Sequence, residues 1–183
     1  MRSVIEFVEG DRVLDLGCGY GVVGILASNI GEQNVVMVDN DETAVEVAKY
    51  NARLNGVQNI EIIQSDGFSN VKQNNFTKII SHPAYHVDFS VPKHFIEKGF
   101  NRLLLNGRMY MVTKRKDWYK NKLISIFGGV RIWEIENYYV FMAEKKRTLI
   151  RKPRNAINNG LRGARTLYAD ESSITSDNMY YVN

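Results

Sequence analysis

The 183-residue sequence predicts an α/β fold, in which helices cover both faces of a mostly parallel sheet. Strand-like and helix-like segments alternate from residue 12 to residue 144, which is the pattern of parallel strands joined by helical crossovers. Residues 34–38 (NVVMV) form a continuous apolar run, as expected of a strand that is buried on both faces. Two last strand-like runs flank Glu136-Asn137, and they predict a terminal hairpin that adds an antiparallel edge strand.

The first half of the chain supplies three strands and two helices. The better-marked helix follows the capping sequence DND and carries its apolar residues on one face. Asn55-Gly56 ends this helix, since glycine is favoured just past a helix end. In chain order, the predicted elements are a strand at 12–16, a helix at 22–29, a strand at 34–38, a helix at 42–54 and a strand at 60–64.

The second half continues the alternation. Pro92 opens a helix and Asn106-Gly107 closes it, because proline suits the first helical turn and glycine suits the end. The apolar face of this helix comprises Phe95, Ile96, Gly99, Phe100 and Leu103. In chain order, the predicted elements are a strand at 78–81, this helix, a strand at 108–113, a helix at 117–127 and hairpin strands at 130–135 and 138–143.

The composition is that of one ordinary soluble domain. With 44% hydrophobic and 24% charged residues the chain can bury a full core, yet no stretch approaches the ~20 apolar residues of a membrane span. No apolar run with a small-residue cleavage site follows Met1, so we expect no secretory signal. The single cysteine, Cys18, excludes an internal disulfide and predicts a reducing, cytoplasmic location.

The periodic pattern ends near residue 144, which divides the chain into a domain at residues 1–146 and a basic, then polar, tail at residues 147–183. A run without acids spans this boundary, and its basic residues are Lys145, Lys146, Arg147, Arg151, Lys152, Arg154, Arg162 and Arg165. Since the net charge of the chain is +4, the rest of it carries −4. Such a basic block predicts an anionic partner, with nucleic acid as the first candidate, and the alternative is a solvated tail.

The turn after the first strand, residues 15–21 (DLGCGYG), carries the chemistry. Its glycines let the backbone turn sharply and let a ligand approach the main chain closely. A dinucleotide site would have glycine at position 22, where this chain has Val22. Asp15 would repel a pyrophosphate but attract the amino group and sulfonium of S-adenosylmethionine, although a structural acid that caps the turn is the alternative. The predicted site for that cofactor contains Asp15, Gly17, Gly19 and Gly21.

Two further acids follow the next two strands. Asp39 lies 22 residues after Gly17, where a carboxylate can accept hydrogen bonds from both ribose hydroxyls. Asp66 follows the third strand, where a side chain can meet the adenine edge. Their neighbours Asn40 and Gly67 are included in the predicted site, which needs no metal. All these residues should meet at the carboxyl edge of the sheet.

The segments DLGCGYGVVG, VDND and QSDG, together with the closing hairpin, resemble the class I S-adenosylmethionine-dependent methyltransferases. Within that class, the sequence from VLDLGCGYGVVGILAS to VFMAEKK is most similar to the small-domain RsmC-like methyltransferases, which methylate a guanine N2 in small-subunit ribosomal RNA. The resemblance covers about three quarters of the chain. It implies a Rossmann-like fold, a seven-stranded sheet with the last strand antiparallel, and transfer of a methyl group to an amino group of RNA.

The family places N-P-P-[FY] after the fourth strand, where this chain has His82-Pro83-Ala84-Tyr85. In the family the asparagine and a proline-region carbonyl accept hydrogen bonds from the target amine, while the aromatic ring stacks on its base. The resemblance therefore implies catalytic positions at His82, Pro83 and Tyr85. His82 replaces the asparagine, and a neutral imidazole still accepts one hydrogen bond.

The acceptor stays open at this stage. An RNA methyltransferase is favoured by the basic block and by the resemblance. A methyltransferase acting on a small molecule or a protein is favoured by the altered turn at His82 and by the short segment before residue 12. A cofactor-binding relative without turnover is the third hypothesis, and the oligomeric state is not assigned.

Overall fold

A computed structural model of the chain describes residues 4–30, 34–83 and 88–146. Its elements follow the predicted alternation of strands and helices. They are β1 (Arg12–Leu16), α1 (Val22–Ser28), β2 (Asn34–Asp39), α2 (Glu42–Leu54), β3 (Ile60–Gln64), β4 (Phe76–Ser81), α3 (Ser90–Arg102), β5 (Leu103–Thr113), α4 (Asp117–Phe127), β6 (Arg131–Ile135) and β7 (Tyr138–Glu144). None of the helices among these residues is long and apolar enough to cross a membrane.

The strands form one seven-stranded sheet in the order β3-β2-β1-β4-β5-β7-β6. The first five strands are parallel, and β7 runs antiparallel to both of its neighbours. The mostly parallel sheet and its antiparallel last strand are therefore confirmed. The expectation that the antiparallel strand lies at the edge is wrong, because β7 pairs with β5 and leaves β6 outside. The hairpin turn at Glu136 and Asn137, both with positive φ, folds β7 back between β5 and β6.

The boundary between α3 and β5 differs most from the prediction. The helix begins at Ser90, two residues before Pro92, and it ends at Arg102, so that Leu103 starts β5 instead of completing the helix face. The predicted turn at Asn106-Gly107 is an irregularity within β5, where the partners of Leu103 and Arg108 are Phe76 and Lys78. Residues 104–106 therefore bulge from the strand, and this lets the chain turn from helix to strand without a separate loop.

The side chains of alternate strand residues face two separate cores. Leu14 and Leu16 lie with Phe100 and Leu123 in the core beneath α3 and α4. Val13 lies in the other core, beneath α1 and α2. Because side chains alternate along a strand, Asp15 shares the α1 side of the sheet with Val13. The alternation places a carboxyl group inside an otherwise apolar layer.

Candidate functional site

The loops that follow the carboxyl ends of the strands lie along one edge of the sheet. Leu16 is in register with Val38 of β2 and with Ser81 of β4, and Asp39 is in register with Gln64 of β3. Neighbouring strands are about 4.8 Å apart, so the turns that follow these residues are close together. The structure thus brings the glycine turn, the two later acids and His82 to the same edge, as the order of elements predicts.

The glycine turn is tied to the end of β2. The main-chain N–H groups of Gly17 and Cys18 both donate to the carbonyl oxygen of Val38, at 2.8 and 2.9 Å. Gly21 precedes α1 with φ of 95°, and a Cβ there would lie 2.7 Å from Cε of Met37. Glycine is favoured at this position because the backbone has a positive φ, and the surrounding side chains leave little room for a Cβ.

The outer side of the same turn is open. Gly17 and Gly19 have φ of 75° and 53°, and a Cβ at either position would have no described atom within 4 Å. The main chain at these two residues is therefore accessible to a ligand, in contrast with the packed main chain at Gly21. A surface of bare peptide groups beside acidic side chains suits a ligand that is both polar and positively charged.

Asp15 lies beneath this turn and is 4% exposed. Its Oδ2 accepts a hydrogen bond of 2.9 Å from the main-chain N–H of Gly24 in α1. Burial, opposed by the Gly24 hydrogen bond and assisted by the charge of the nearby Asp39, raises the pKa of Asp15 to about 7. Asp15 therefore holds the first turn of α1, just past the glycine turn, and its ionised form carries a negative charge that a cation could neutralise.

The thiol of Cys18 is affected by the same two carboxylates. Burial, followed by the charges of Asp15 and Asp39, raises the pKa of its thiol to about 12. The thiol is protonated at neutral pH, so Cys18 is a small residue in the loop and not a nucleophile.

Asp39 closes the other side of the turn at the end of β2. Its Oδ2 accepts a hydrogen bond from the N–H of Gly19 at 2.9 Å, and its Oδ1 accepts one from the N–H of Asp41 at 3.1 Å. A carboxylate has about four lone-pair directions, so each oxygen retains capacity for a ligand hydroxyl. Asn40 is exposed beside it, and its carbonyl oxygen accepts a hydrogen bond from the side chain of Gln64 at 3.2 Å.

The turn after β3 presents Asp66 on its exposed side. Ser65 is buried and holds this turn: its N–H donates to the carbonyl of Asp39 at 2.7 Å, and its hydroxyl donates to that of Gly67 at 2.9 Å. Gly67 is buried with φ of 55°, and a Cβ there would lie 3.1 Å from the ring of Phe95. The second and third predicted acids are therefore connected through Ser65.

His82 and Pro83 follow β4 at this edge. Pro83 is buried, whereas His82 is exposed and its ring contacts Tyr138 edge-to-face, with 5.5 Å between centroids. Partial burial lowers the pKa of His82 from its ordinary value, so the imidazole is neutral at pH 7 and can accept a hydrogen bond. Tyr85 lies outside the described residues, and its stacking role stays a prediction.

The basic block is described only at its start. Lys146 is exposed, but Lys145 is 9% exposed, donates from Nζ to the carbonyl of Leu103 at 2.7 Å and lies over the ring of Phe100. Lys145 therefore stabilises the domain and does not form part of an exposed basic surface. The other members of the block, Arg147, Arg151, Lys152, Arg154, Arg162 and Arg165, lie outside the described residues.

Three features of the edge were missed by sequence reasoning. Gly24 is required beside Asp15, because a Cβ there would lie 2.5 Å from the side chain of Met37. Tyr138 reaches His82 from the last hairpin, and nothing local in the sequence indicates that pairing. A third feature, the run Lys114-Arg115-Lys116, follows the carboxyl end of β5. Its position after a strand, like that of the acids, was the signal that could have identified it.

Residues 3–143 match the methyltransferase small domain family. Among relatives, the uncharacterized protein YbxB of Bacillus subtilis (strain 168) is 35% identical over 144 residues, which cover 75% of this chain and 71% of that protein. Ribosomal protein L11 methyltransferase of Thermoanaerobacter pseudethanolicus is 31% identical over 153 residues, which cover 79% of this chain and 48% of that protein.

Among solved structures, the T. thermophilus 16S rRNA N2 G1207 methyltransferase RsmC, in complex with AdoMet and guanosine, has a TM-score of 0.69 and 27% identity. The match covers 75% of this chain and 38% of that chain. The chain thus spans about half of the L11 methyltransferase and less of the RsmC structure. The matched residues include the glycine turn, both later acids and the whole sheet up to Ala143. The chain belongs to the methyltransferase small domain family, and it is a Rossmann-like, S-adenosylmethionine-dependent methyltransferase.

Proposed function

We propose that this domain methylates an exocyclic amino group of a base in RNA. The observation that carries the proposal is the position of His82, an exposed and neutral hydrogen-bond acceptor that follows β4 next to the glycine turn. The similar RsmC structure, a complex with AdoMet and guanosine, supports a purine amine as the acceptor. The cytoplasmic location predicted from Cys18 is compatible with this substrate.

The cofactor would be held by the residues that line the open side of the glycine turn. Asp39 would accept hydrogen bonds from the ribose hydroxyls, Asn40 would flank them, and Asp66 with Gly67 would meet the adenine. Gly17 and Gly19 present bare main chain to the rest of the molecule, while Gly21 keeps the turn compact. Asp15 would attract the positively charged end through its buried charge, and its Oδ1 is the oxygen that Gly24 leaves for such a ligand.

S-adenosylmethionine, when bound, supplies a methyl group on a sulfonium, which is a strong electrophile. The chain's contribution is therefore to position the acceptor: His82 accepts one N–H of the amine, the main chain at Pro83 accepts the other, and Tyr85 stacks on the base. This directs the nitrogen lone pair at the methyl carbon, about 3–3.5 Å away, without a strong base. The nitrogen gains the methyl group and releases a proton to solvent, and S-adenosylhomocysteine leaves.

A protein acceptor is the second candidate, because a ribosomal protein L11 methyltransferase is 31% identical. The two are separated by incubating the full chain with labelled S-adenosylmethionine and separate acceptor pools. The pools are unmodified small-subunit ribosomal RNA made by transcription, purified ribosomal protein L11, and a small-molecule extract. We expect label in the RNA, and strongly reduced label with Asp39→Ala at a cofactor concentration that does not saturate this variant. Label in L11 alone would overturn the RNA proposal, and no label anywhere would favour a non-catalytic relative.

A further inference from the structure

We infer that Lys114-Arg115-Lys116, called here the basic triplet, binds the phosphate backbone of the RNA strand next to the target nucleotide. This inference rests on the proposed RNA substrate and adds a binding site within the described part of the chain. It differs from the predicted block at residues 145–165, whose first member, Lys145, is buried.

The basic triplet lies at the same edge of the sheet as the predicted acceptor site. It follows Thr113, the last residue of β5, and β5 is the neighbour of β4, with Met111 in register with Ser81. His82 follows Ser81 directly. Adjacent strands are about 4.8 Å apart, and a nucleotide spans more than that distance along its own strand. A base held at His82 therefore brings the neighbouring phosphates within reach of the long lysine side chains.

Each cation of the basic triplet lies over an aromatic ring. Nζ of Lys114 is 5.0 Å from the ring centroid of Tyr138, and Nζ of Lys116 is 4.9 Å from that of Tyr139. Arg115 lies 4.6 Å over Phe89. A cation–π contact restrains a flexible side chain without neutralising its charge, so the triplet presents ordered positive charge. Tyr138 also contacts His82, which links the triplet physically to the acceptor site.

The three members of the basic triplet differ in exposure. Arg115 is half-buried and interacts electrostatically with Asp88, whose carboxylate also accepts the N–H of Ser90 at 2.7 Å. Asp117 is the first residue of α4, where the helix dipole stabilises its charge. Lys114 and Lys116 are both exposed. We therefore assign phosphate binding to these lysines and a supporting position to Arg115.

The combination of lysines and tyrosines at the basic triplet favours single-stranded nucleic acid over an acidic protein as the ligand. Proteins that bind single strands combine cations that follow the backbone with aromatic side chains on which bases stack. Here Tyr138 and Tyr139, at the start of β7, lie next to Lys114 and Lys116, which follow the end of β5, because Thr113 is in register with Tyr139. An acidic protein surface would use the lysines but would have no base to place on the tyrosines.

The test compares the full-length Lys114→Gln/Lys116→Gln variant with the matched variant Lys72→Gln/Lys98→Gln. The control removes the same charge from exposed residues, one in the loop before β4 and one in the second half of α3. The dissociation constant of a fluorescein-labelled single-stranded RNA is measured from 0.05 to about 0.5 M KCl. S-adenosylmethionine binding is measured by calorimetry, and steady-state kinetics use the unmodified ribosomal RNA transcript.

The logarithm of the association constant for RNA falls as the logarithm of the salt concentration rises. Loss of two phosphate contacts should make this slope less steep by about 1.4, which weakens RNA binding about 25-fold at 0.1 M salt. The KM for the transcript should rise, whereas kcat at saturating RNA and cofactor affinity should stay at the wild-type values. Each single variant, Lys114→Gln or Lys116→Gln, should show about half of this change in slope. The single variants therefore still test the inference if the double variant is unstable.

Equal slopes for the triplet variant and the control, with RNA still methylated by the wild type, would overturn this inference alone. If the wild type neither binds nor methylates RNA, the proposed function fails together with the inference. Weakened methylation of ribosomal protein L11 by the triplet variant, without an effect on RNA, would assign the basic triplet to a protein partner.

Discussion

The carboxylate of Asp15 in β1 accepts a hydrogen bond of 2.9 Å from the main-chain N–H of Gly24 in α1, although its surroundings are otherwise apolar. The contact fixes the first turn of the helix beneath the glycine turn. It also leaves a buried carboxyl group whose pKa is raised to about 7, first by burial and then by Asp39. The predicted cofactor site thus contains a group whose pKa lies near physiological pH, so we expect both cofactor affinity and stability to depend on pH.

We expect the affinity for S-adenosylmethionine to fall as the pH is lowered through about 7. Protonation of Asp15 removes the negative charge that attracts the cationic end of the cofactor, and binding must then displace a proton. The expected loss approaches tenfold per pH unit below that value, measured by calorimetry between pH 6 and pH 8. Asp15→Asn should bind weakly at every pH. A wild-type affinity that is equal at pH 6 and pH 8 would contradict the role of Asp15.

The free enzyme should become more stable when Asp15 is replaced by asparagine. A folded pKa above the unfolded value of 3.8 means that the protonated group favours folding below about pH 4, and this contribution is lost as the pH rises through about 7. At pH 8 the wild type carries a buried charge that Asp15→Asn lacks, while the amide oxygen still accepts from Gly24. We expect a gain of about 0.5–2 kcal/mol in free energy of unfolding at pH 8. The gain should shrink toward pH 4; a variant less stable than wild type at pH 8 would show that the charge is compensated in the fold.

Asp39→Ala should weaken binding of S-adenosylmethionine and of its demethylated product by about 1.5–3 kcal/mol, the value of a charge-assisted hydrogen bond. The wild type should bind neither NADH nor its oxidised form, since glycine is absent at position 22. Asp41→Ala is the matched control, because this acid caps α2 through Thr43 and lies outside the predicted site. Similar cofactor affinities for the two variants would contradict the assignment of Asp39.

The acceptor site is tested by the pH dependence of kcat. With cofactor and RNA saturating, kcat should fall as the pH drops through the pKa of His82, because an imidazolium offers no lone pair to the amine. His82→Asn, which restores the family residue, should retain or raise activity and flatten this profile. Saturation separates this effect from that of Asp15, which acts on cofactor affinity.

Tyr85→Ala is the second test of the acceptor site and should lose most of the activity while binding cofactor normally. Its stacking role comes from the family resemblance, so it is independent of the His82 measurement. Identical pH profiles for wild type and His82→Asn would remove the role of His82. A fully active Tyr85→Ala would count against the acceptor site as a whole, but it would not affect the assignment of the cofactor site.

The domain boundary can be tested by two truncations that differ by two residues. A chain of residues 1–146 should fold and bind cofactor, since the periodic apolar segments all lie within it. A chain that ends at Glu144 should be less stable by roughly 2–3 kcal/mol, because Lys145 makes three hydrogen bonds, with Leu103, Asn106 and Gly107. Thermal and urea unfolding measure the stability of both truncated chains. If the chain of residues 1–146 is insoluble or molten, residues 147–183 complete its core and the boundary is wrong.

The sequence by itself determined the order of elements and the position of the glycine turn, the predicted cofactor loop. Apolar runs of strand length, helical periodicity and the turn chemistry of Gly56 are local properties, so β1, β3, α2 and α4 begin and end at the predicted residues. The glycine spacing and the acids after β1, β2 and β3 are also local. A parallel sheet brings such residues to a common edge whatever the details of its packing.

Only the tertiary structure decided how these residues are paired. The α3–β5 boundary depends on register with β4, and the bulge at residues 104–106 satisfies strand pairing at the expense of the predicted turn. The contact of His82 with Tyr138, 56 positions apart, exists because β7 inserts beside β5. The burial of Asp15 and Lys145 depends in the same way on what packs around them. The pairing partner of a residue, and the burial of a polar residue such as Asp15 or Lys145, are set by residues distant in the chain, so the local pattern does not predict them.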